Sequence, residues 1–343
     1  MSATLSSLAA TLLATVFNPD PSPHDLLVLV SCIALFWYSF FQLLHVTLHP
    51  FALKQPWLHT AFSREYDRVG LAMCKALNVS WTKERYIQIF LNDWPKMQGI
   101  YLQHFIGGAL CLPAVFHLCD STTASSLACL GVLSEMGWEL SDVFDLFIVR
   151  TTLPDGKERI PNNMLAIWIV HHSMTLTLGF PMVLRYRELR TLHLLTFNLQ
   201  WAAAIAIGCN EFTKCLDLSQ KRQLWMFRIM NGLCFVIMAW MRGVQWLFLS
   251  GSMLMTWYND EEWACLYIGV VICVLITGFN FALCIAPFYK KMIKFSVLKK
   301  QVSVKRDESQ QSLTTEVRSE SVEDDENQFE EETEHLVVVS STG

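Results

Sequence analysis

Two apolar stretches of the chain carry ionisable and polar residues in a pattern that could do acid–base chemistry. The ionisable residues are Glu135, Glu139, Asp142, His171 and His172, and the hydroxyl of Thr175 lies one helical turn beyond the histidines. The three acidic residues follow an i, i+4, i+7 spacing, which places them on one face of a helix. A histidine that is oriented by a carboxylate such as Asp142 can act as a general base, activating an amine or a hydroxyl for acyl transfer. The pattern therefore makes His171, His172 and Asp142 candidate catalytic residues.

The same residues also have a structural interpretation. A charge near the middle of a bilayer costs at least ~2.5–3.5 kcal/mol on insertion scales, so these groups need compensation. Interhelical hydrogen bonds, worth ~0.6 kcal/mol each on average, would provide it without any reaction. Adjacent His171 and His172 point ~100° apart on a helix, so one can face a cavity while the other contacts a neighbouring helix. Such a pair does not grip one metal as an i, i+4 pair does, and we expect no metal ligands.

Composition indicates that the elements carrying these residues are membrane helices. Of 343 residues, 52% are hydrophobic and 17% charged, which is more apolar and less charged than a typical soluble protein. Runs of about 20 apolar residues are long enough to cross a ~30 Å hydrocarbon core. We predict an all-α integral membrane protein with about seven transmembrane helices. The expected spans are 26–48, 97–118, 125–149, 163–184, 191–209, 225–250 and 263–288.

Loop charge predicts the orientation of these helices. Basic residues concentrate in 49–96, 150–162 and 210–224, whereas the loop at 185–190 is the exception on the other side. By the positive-inside rule, the N-terminus is lumenal or outside and the C-terminus is cytosolic. The segment 62–91 is too polar to span, and it is equally compatible with an amphipathic helix at the cytosolic interface and with a plain connecting loop.

The chain divides into four parts on this basis. Residues 1–25 form an N-terminal non-cytosolic segment, 26–59 the first transmembrane helix and its connection, and 60–295 the main transmembrane domain. Residues 296–343 form an acidic tail, whose part from 301 has 12 acidic and 3 basic residues. That composition cannot bury a core, so we expect the tail to be disordered.

The predicted orientation also gives each polar residue a depth in the membrane. At 1.5 Å per helical residue, Asp142 lies ~10 Å and His171 ~12–13 Å from the cytosolic end. Other helices place polar residues ~6–13 Å from that end, and one somewhat deeper. They are His45, Gln103, His104, Asn231 and Asn280, with Asn198 deeper. We therefore predict a shared polar layer that opens towards the cytosol.

These residues resemble a known family. The run Trp138–Asp142, the motif His171-His172-x-x-Thr175, and Asn231-Gly232 followed by Arg242 and Asn280 resemble the TLC domain family, over roughly residues 60–295. The resemblance implies a multispanning helical bundle that handles lipids, usually in the endoplasmic reticulum or another endomembrane, with the plasma membrane as an alternative. It adds Arg242 to the lipid-binding residues.

The family has two branches that differ in activity. Ceramide synthases N-acylate sphingoid bases with acyl-CoA as co-substrate, and they carry a second His-Asp pair where this chain has Asn198-Leu199. The branch without that signature is linked to lipid composition, transport or sensing, and this chain is closer to it. We therefore expect a lipid-binding or lipid-sensing protein without a cofactor, and the acyltransferase stays the alternative.

Two further classes fit less well. Intramembrane acidic and histidine residues form proton relays in transporters, but no internal hydropathy repeat is evident here. A seven-helix receptor shares the predicted orientation, but its Asp-Arg-Tyr and Asn-Pro-x-x-Tyr motifs are absent from this chain. The expected partners are membrane lipids and an acyl-chain ligand, without nucleic acid, and a homo-oligomer is an open possibility.

Overall fold

Every regular element in the described part of the chain is helical. A computed structural model describes residues 10, 14–18 and 20–294, and no strand occurs among them. The predicted all-α class is confirmed for these residues. Residues up to Met292 form one compact unit, while a second unit, Ile293–Gly343, lies almost wholly outside the described residues. The prediction of a disordered tail over 296–343 falls there too, as does about half of the N-terminal segment 1–25.

Ten helices make up the described part. They are α1 Pro23–Lys54, α2 Pro56–Glu65, α3 Leu71–Leu77, α4 Lys83–Phe116, α5 Ser121–Thr152, α6 Gly156–Arg159, α7 Asn162–Arg185, α8 Arg190–Lys214, α9 Lys221–Asn259 and α10 Trp263–Lys294. Three stretches are π-helical: Tyr66–Gly70 joins α2 to α3, Ala239–Gln245 lies within α9, and Asn280–Ile285 lies within α10. π-helical turns of this kind are rare and frequently occur at functional sites.

Six of these helices are long and apolar enough to cross a membrane: α1, α4, α7, α8, α9 and α10. The remaining expected span, 125–149, corresponds to α5, which has 32 residues. It is long enough, but its Ser and Thr residues and its four carboxylates make it more polar than the other six. Seven helices are therefore long enough to be the expected spans, and six of them are also apolar enough.

The region before the second span differs from the expectation. The second long helix begins at Lys83, not at 97, because Thr82 caps it by accepting a hydrogen bond from the Arg85 backbone N–H. The segment 62–91 is largely helical, so the alternative of a plain loop is wrong. Its apolar side chains, among them Phe62 and Tyr86, are buried in two small clusters with residues of the start of α4.

The acidic helix α5 lies at the centre of the bundle, in contact with α1, α4 and α7. Glycines allow the close approach: a methyl group added at Gly131 would lie 2.8 Å from the Gly107 carbonyl oxygen of α4. From α8, Gln200 Nε2 donates to the Gly131 carbonyl oxygen at 3.0 Å. Small residues at a helix crossing are the usual means of close packing in membranes.

One end of the bundle is fastened by arginines, and we call it the basic end. Arg85 at the start of α4 binds Asp155 and Glu158, which follow α5, at 2.6 and 3.0 Å. These hydrogen bonds hold the pKa of Asp155 below its usual range. Arg68 donates to the Thr213 and Lys214 carbonyl oxygens at the end of α8. The start of α4 and the ends of α5 and α8 therefore lie at the basic end. The end of α1 lies there too, since His49 bonds to Asn92 of α4, and so does the start of α7, where Arg150 of α5 donates to Asn162.

Candidate functional site

A cavity of about 740 Å³ lies between α4, α5, α7, α8, α9 and α10. It begins near Asp93 and Arg159 at the basic end and extends to Leu192 and Trp257 near the opposite end. Most of the lining is apolar, with polar side chains mainly in its half towards the basic end. Its size falls in the range of small-molecule sites, which are mostly apolar with a few placed polar groups.

The structure brings six of the predicted site residues to the wall of this cavity. They are His104, Glu135, Asp142, His171, Thr175 and Arg242. They come from α4, α5, α7 and α9, so four helices contribute to the predicted polar layer through these residues. These six side chains therefore surround one cavity.

His172 and Asp142 form a buried pair between α7 and α5. His172 Nε2 lies 2.9 Å from Asp142 Oδ2, and its Nδ1 lies 3.4 Å from Glu139 Oε1. His172 and Glu139 are fully buried, and neither lines the cavity. The His172 ring therefore lies between two carboxylates on successive turns of α5. With a proton on each ring nitrogen, it can donate one hydrogen bond to each carboxylate.

His171 points elsewhere, as the ~100° separation of adjacent helical residues requires. Its ring lines the cavity and stacks on Phe279 of α10, with centroids 4.3 Å apart and planes 4° apart. Trp168, one turn earlier, contacts both histidine rings. The side chain that a ligand can reach is thus His171, while the histidine with a carboxylate partner is His172.

Lys96 is a functional candidate that the sequence reasoning missed. Its ammonium lies 2.8 Å from Asp142 Oδ1 and 2.7 Å from Asp145 Oδ2, inside the cavity wall. The sequence analysis places it in the basic loop 49–96, because the expected second span begins at 97. A signal was available, since Lys96 lies seven and eight residues before Gln103 and His104 and so shares their helix face.

A second acidic cluster lies deeper in the wall. Gln103 Nε2 donates to Glu135 Oε2 at 2.7 Å, and His104 Nδ1 lies 3.3 Å from the same oxygen. Trp138 contacts both His104 and His172, each with ring centroids 5.2 Å apart, and so separates the two clusters. The acidic face of α5 therefore meets partners from α4 on one side and from α7 on the other.

Arg242 and Asn280 form a third polar cluster, on the opposite wall. Arg242 Nη1 donates to Asn280 Oδ1 at 3.1 Å, and Nη2 donates to the Leu199 carbonyl oxygen at 2.6 Å. Both residues belong to π-helical stretches, Ala239–Gln245 and Asn280–Ile285, that pack against each other. Asn280 reaches the site only through Arg242.

Other predicted members of the polar layer do not line the cavity: Gln103, His172 and Asn280 contact lining residues instead, whereas Asn198, Asn231 and His45 lie elsewhere. Asn198 is buried outside the lining, and Asn231 donates to the Phe227 carbonyl oxygen of its own helix at 2.8 Å. His45 of α1 is exposed and stacks on His49. A predicted depth does not decide which side of a helix a residue faces, because the rotation of each helix sets that direction.

One ring nitrogen of His171, one of His172 and a carboxylate oxygen of Glu139 lie within 4.8 Å of one another. This is closer than the ~100° separation led us to expect, and such a set could hold a metal ion. However, His172 lies between Glu139 and Asp142, so N–H groups of its ring can donate hydrogen bonds to these two carboxylates without a metal ion. The geometry therefore does not require a metal.

Comparison with models of known protein families, with curated proteins and with solved structures found no match to this chain. Functional inference therefore rests on the cavity and its side chains.

Proposed function

We propose that this chain is an integral membrane protein that binds a lipid in its central cavity and acts in lipid handling or sensing. The observation that carries the proposal is the cavity itself: a mostly apolar space of about 740 Å³ whose polar groups gather in one half. An amphipathic ligand fits this division, since its alkyl chain can lie among apolar side chains while its head meets the ionisable ones.

Position within the bundle supports a membrane ligand. The cavity reaches from the basic end to the opposite end, between helices that are long and apolar enough to cross a bilayer. Its apolar part includes Met182, Met253 and Trp257. A lipid would place its alkyl chain beside these apolar residues and its headgroup beside Glu135 and His171, inside the bundle.

The resemblance to the TLC domain family points the same way. In that interpretation the domain comprises residues 60–295, the N-terminus lies on the lumenal side and the acidic tail is cytosolic. The protein resides in the endoplasmic reticulum or another endomembrane, and its partners are membrane lipids.

An acyl-CoA-dependent N-acyltransferase is the second candidate. In its favour, His171 lines the cavity and its ring lies 5.4 Å from that of His172, which bonds to Asp142. Against it, the histidine with the carboxylate is the one sealed from the cavity, and Asn198 stands where the second His-Asp pair of ceramide synthases is expected. Lipid binding needs only the cavity, so it is the better supported function.

Native mass spectrometry of the full chain purified in detergent tests the lipid site. We expect wild type to carry co-purified lipid and Ala203→Trp, which fills the cavity wall, to retain less than about a tenth of it. Ala264→Trp, on an exposed helix face, is the matched control and should keep the lipid. A wild type without lipid, or an Ala203→Trp variant that keeps it, would contradict the proposal.

The same preparation separates the two candidates. Wild type is incubated with an acyl-CoA and a sphingoid base, and the N-acylated product is measured. We expect no turnover above that of Ala203→Trp. Product that disappears in His171→Ala while native mass spectrometry still finds lipid on that variant would replace lipid handling by acyl transfer.

A further inference from the structure

Arg242 is a buried cation in the wall of the cavity. It belongs to the π-helical stretch Ala239–Gln245 of α9, and only 7% of its surface is exposed. It lies among apolar neighbours of the lining such as Trp246 and Phe279. A guanidinium at this place is far more costly than an apolar side chain unless a negative charge accompanies it.

The partners of Arg242 are all neutral. They are the Asn280 side-chain oxygen, the Leu199 carbonyl oxygen and, at 3.6 Å, the Cys284 sulfur. Its Nε is buried without a hydrogen-bond partner. Among the residues that the structure describes, no carboxylate lies within 4.0 Å of the guanidinium. These contacts orient the side chain but leave its charge uncompensated.

Other charged groups of the lining do have ionic partners. Lys96 pairs with Asp142 and Asp145. Arg159 lies 2.7 Å from Asp93, and Glu135 lies 3.3 Å from His104. All four acidic side chains of the lining are therefore occupied.

Lys291 is the remaining cation of the wall. Its ammonium binds the neutral Asn210 Oδ1 at 2.8 Å and lies closer to the basic end than Arg242 does. The wall formed by α9 and α10 thus carries two cations, Arg242 and Lys291, and the described carboxylates that line the cavity form ion pairs with other residues.

The position of Arg242 fits the recognition of a headgroup. The guanidinium presents a planar set of N–H donors that suits the oxygens of a carboxylate or a phosphate. From Arg242 to Trp257 the wall of α9 extends for about 22 Å, and it includes Trp246 and Met253. An anion at Arg242 would therefore have room for an alkyl chain along α9.

We propose that the lipid of this cavity carries an anionic headgroup, a carboxylate or a phosphate, that binds Arg242. The inference rests on the proposed lipid-binding function and names the class of lipid. The ligand contributes the negative charge that the protein does not place beside Arg242, while Asn280 and Leu199 hold the guanidinium ready for it.

Binding of three probes to the delipidated full chain in detergent tests this proposal. The probes share one oleoyl chain and differ in headgroup: oleate, 1-oleoyl lysophosphatidic acid and neutral monoolein. Because charge-assisted hydrogen bonds are at stake, we expect at least one anionic probe to bind about tenfold or more tightly than monoolein. The two anionic probes show whether a carboxylate or a phosphate is preferred.

Substitutions assign the preference to Arg242. We expect Arg242→Gln to lose the anionic preference, so that the ratio of its affinities for the anionic probes and for monoolein falls to about one. Arg242→Lys keeps the charge without the planar fork, and it should show an intermediate preference; it carries the test if Arg242→Gln does not fold. Arg187→Gln is the matched control, because Arg187 is also 7% exposed and bound to carbonyl oxygens but lies outside the cavity lining. Its selectivity should equal that of wild type.

Failure has two distinguishable forms. If wild type binds none of the three probes, the proposed function itself fails. If wild type binds all three equally, or if Arg242→Gln and Arg242→Lys both keep the full anionic preference, the headgroup inference is overturned while the lipid-binding function stands.

Discussion

Asp142 is the residue through which most of the candidate site is connected. One carboxylate oxygen lies 2.9 Å from His172 and the other 2.8 Å from Lys96, so the side chain joins α5 to both α7 and α4. The residue is also 7% exposed to the cavity. Its first task is therefore to hold three helices at one level, and a role towards ligand depends on that.

Loss of the Asp142 charge should destabilise the protein strongly. Asp142→Asn leaves Lys96 and His172 with less compensation in a buried place, and breaking a buried pair costs about 3–5 kcal/mol. We expect a clear fall in Tm in thermal unfolding of the full chain in detergent. Asp145→Asn, which removes the more exposed partner of the same lysine, should lower the Tm less.

The double variant Asp142→Asn with Lys96→Met separates pairing from packing. It removes a cation together with its anion, so it should recover part of the lost Tm relative to Asp142→Asn alone. If Asp142→Asn unfolds at the wild-type temperature, the ion cluster is not what holds these helices together.

At the residue scale, the sequence predicts the position of a side chain along the bundle better than the side of the helix that it faces. Helix rise alone predicts that Asp142 and the pair His171-His172 lie at similar positions, and Asp142 does bond to one of the two histidines. It could not say that His172, not His171, bonds to Asp142, because that depends on the rotation of α7 against α5. Asn231, at a comparable level, faces its own backbone for the same reason.

At the scale of elements, the position of α5 explains how an acidic helix can sit in an apolar bundle. Neighbours on α1, α4 and α7 cover it, and its carboxylates meet Gln103, His104, Lys96 and His172. The close crossing with α4 depends on Gly107 and Gly131. The acidic motif was readable in the sequence, whereas the small residues that let it pack were not distinguishable from other glycines.

Substitution of Gly131 tests this crossing. In Gly131→Ala the new Cβ would lie 2.8 Å from the Gly107 carbonyl oxygen, so backbone has to shift. Overpacking of this kind costs about 1–3 kcal/mol, and we expect a lower Tm in detergent. Gly232→Ala is the matched control: its Cβ meets nothing within 4 Å, and alanine in a helix interior is favoured by up to ~1 kcal/mol. Equal Tm values for the two variants would argue against a tight crossing of α4 and α5.

At the scale of the whole molecule, the main question is whether α5 crosses the membrane as the six more apolar helices are able to do. Its end is fastened at the basic end, since Asp155 and Glu158 bind Arg85 at the start of α4. Further along, Gly131 in the first half of α5 meets Gly107 in the second half of α4. The two helices therefore run antiparallel over their length, and at ~1.5 Å per residue α5 is long enough for a crossing.

The loop that disagreed with the predicted orientation has a structural explanation. Arg187 donates to the Val16 and Asn18 carbonyl oxygens, Arg185 pairs with Glu262, and Arg190 binds His117. These arginines fasten the end opposite the basic end, so their N–H donors are used in local contacts, and Arg185 has a carboxylate partner. Charge counting from sequence could not separate such arginines from those that set orientation.

Native cysteines can test the crossing of α5 directly. Cys119 lies between α4 and α5, Cys215 follows α8, and both are exposed. Three helices, α5, α7 and α8, separate them. Because α7 and α8 are both apolar enough to cross and together return the chain to the same side, Cys119 and Cys215 then face opposite sides only if α5 crosses as well. In sealed microsomes a membrane-impermeant maleimide should label Cys215 from the cytosolic side and reach Cys119 only after permeabilisation.

The variants Cys119→Ser and Cys215→Ser show which cysteine gives each labelled product. Although Cys215 is exposed, its thiol donates to the Glu211 carbonyl oxygen, and partial desolvation there raises the pKa of the Cys215 thiol, so labelling is done at a pH of about 8.5. Labelling of both cysteines in sealed microsomes would mean an even number of crossings between them, and it would exclude α5 as a transmembrane helix.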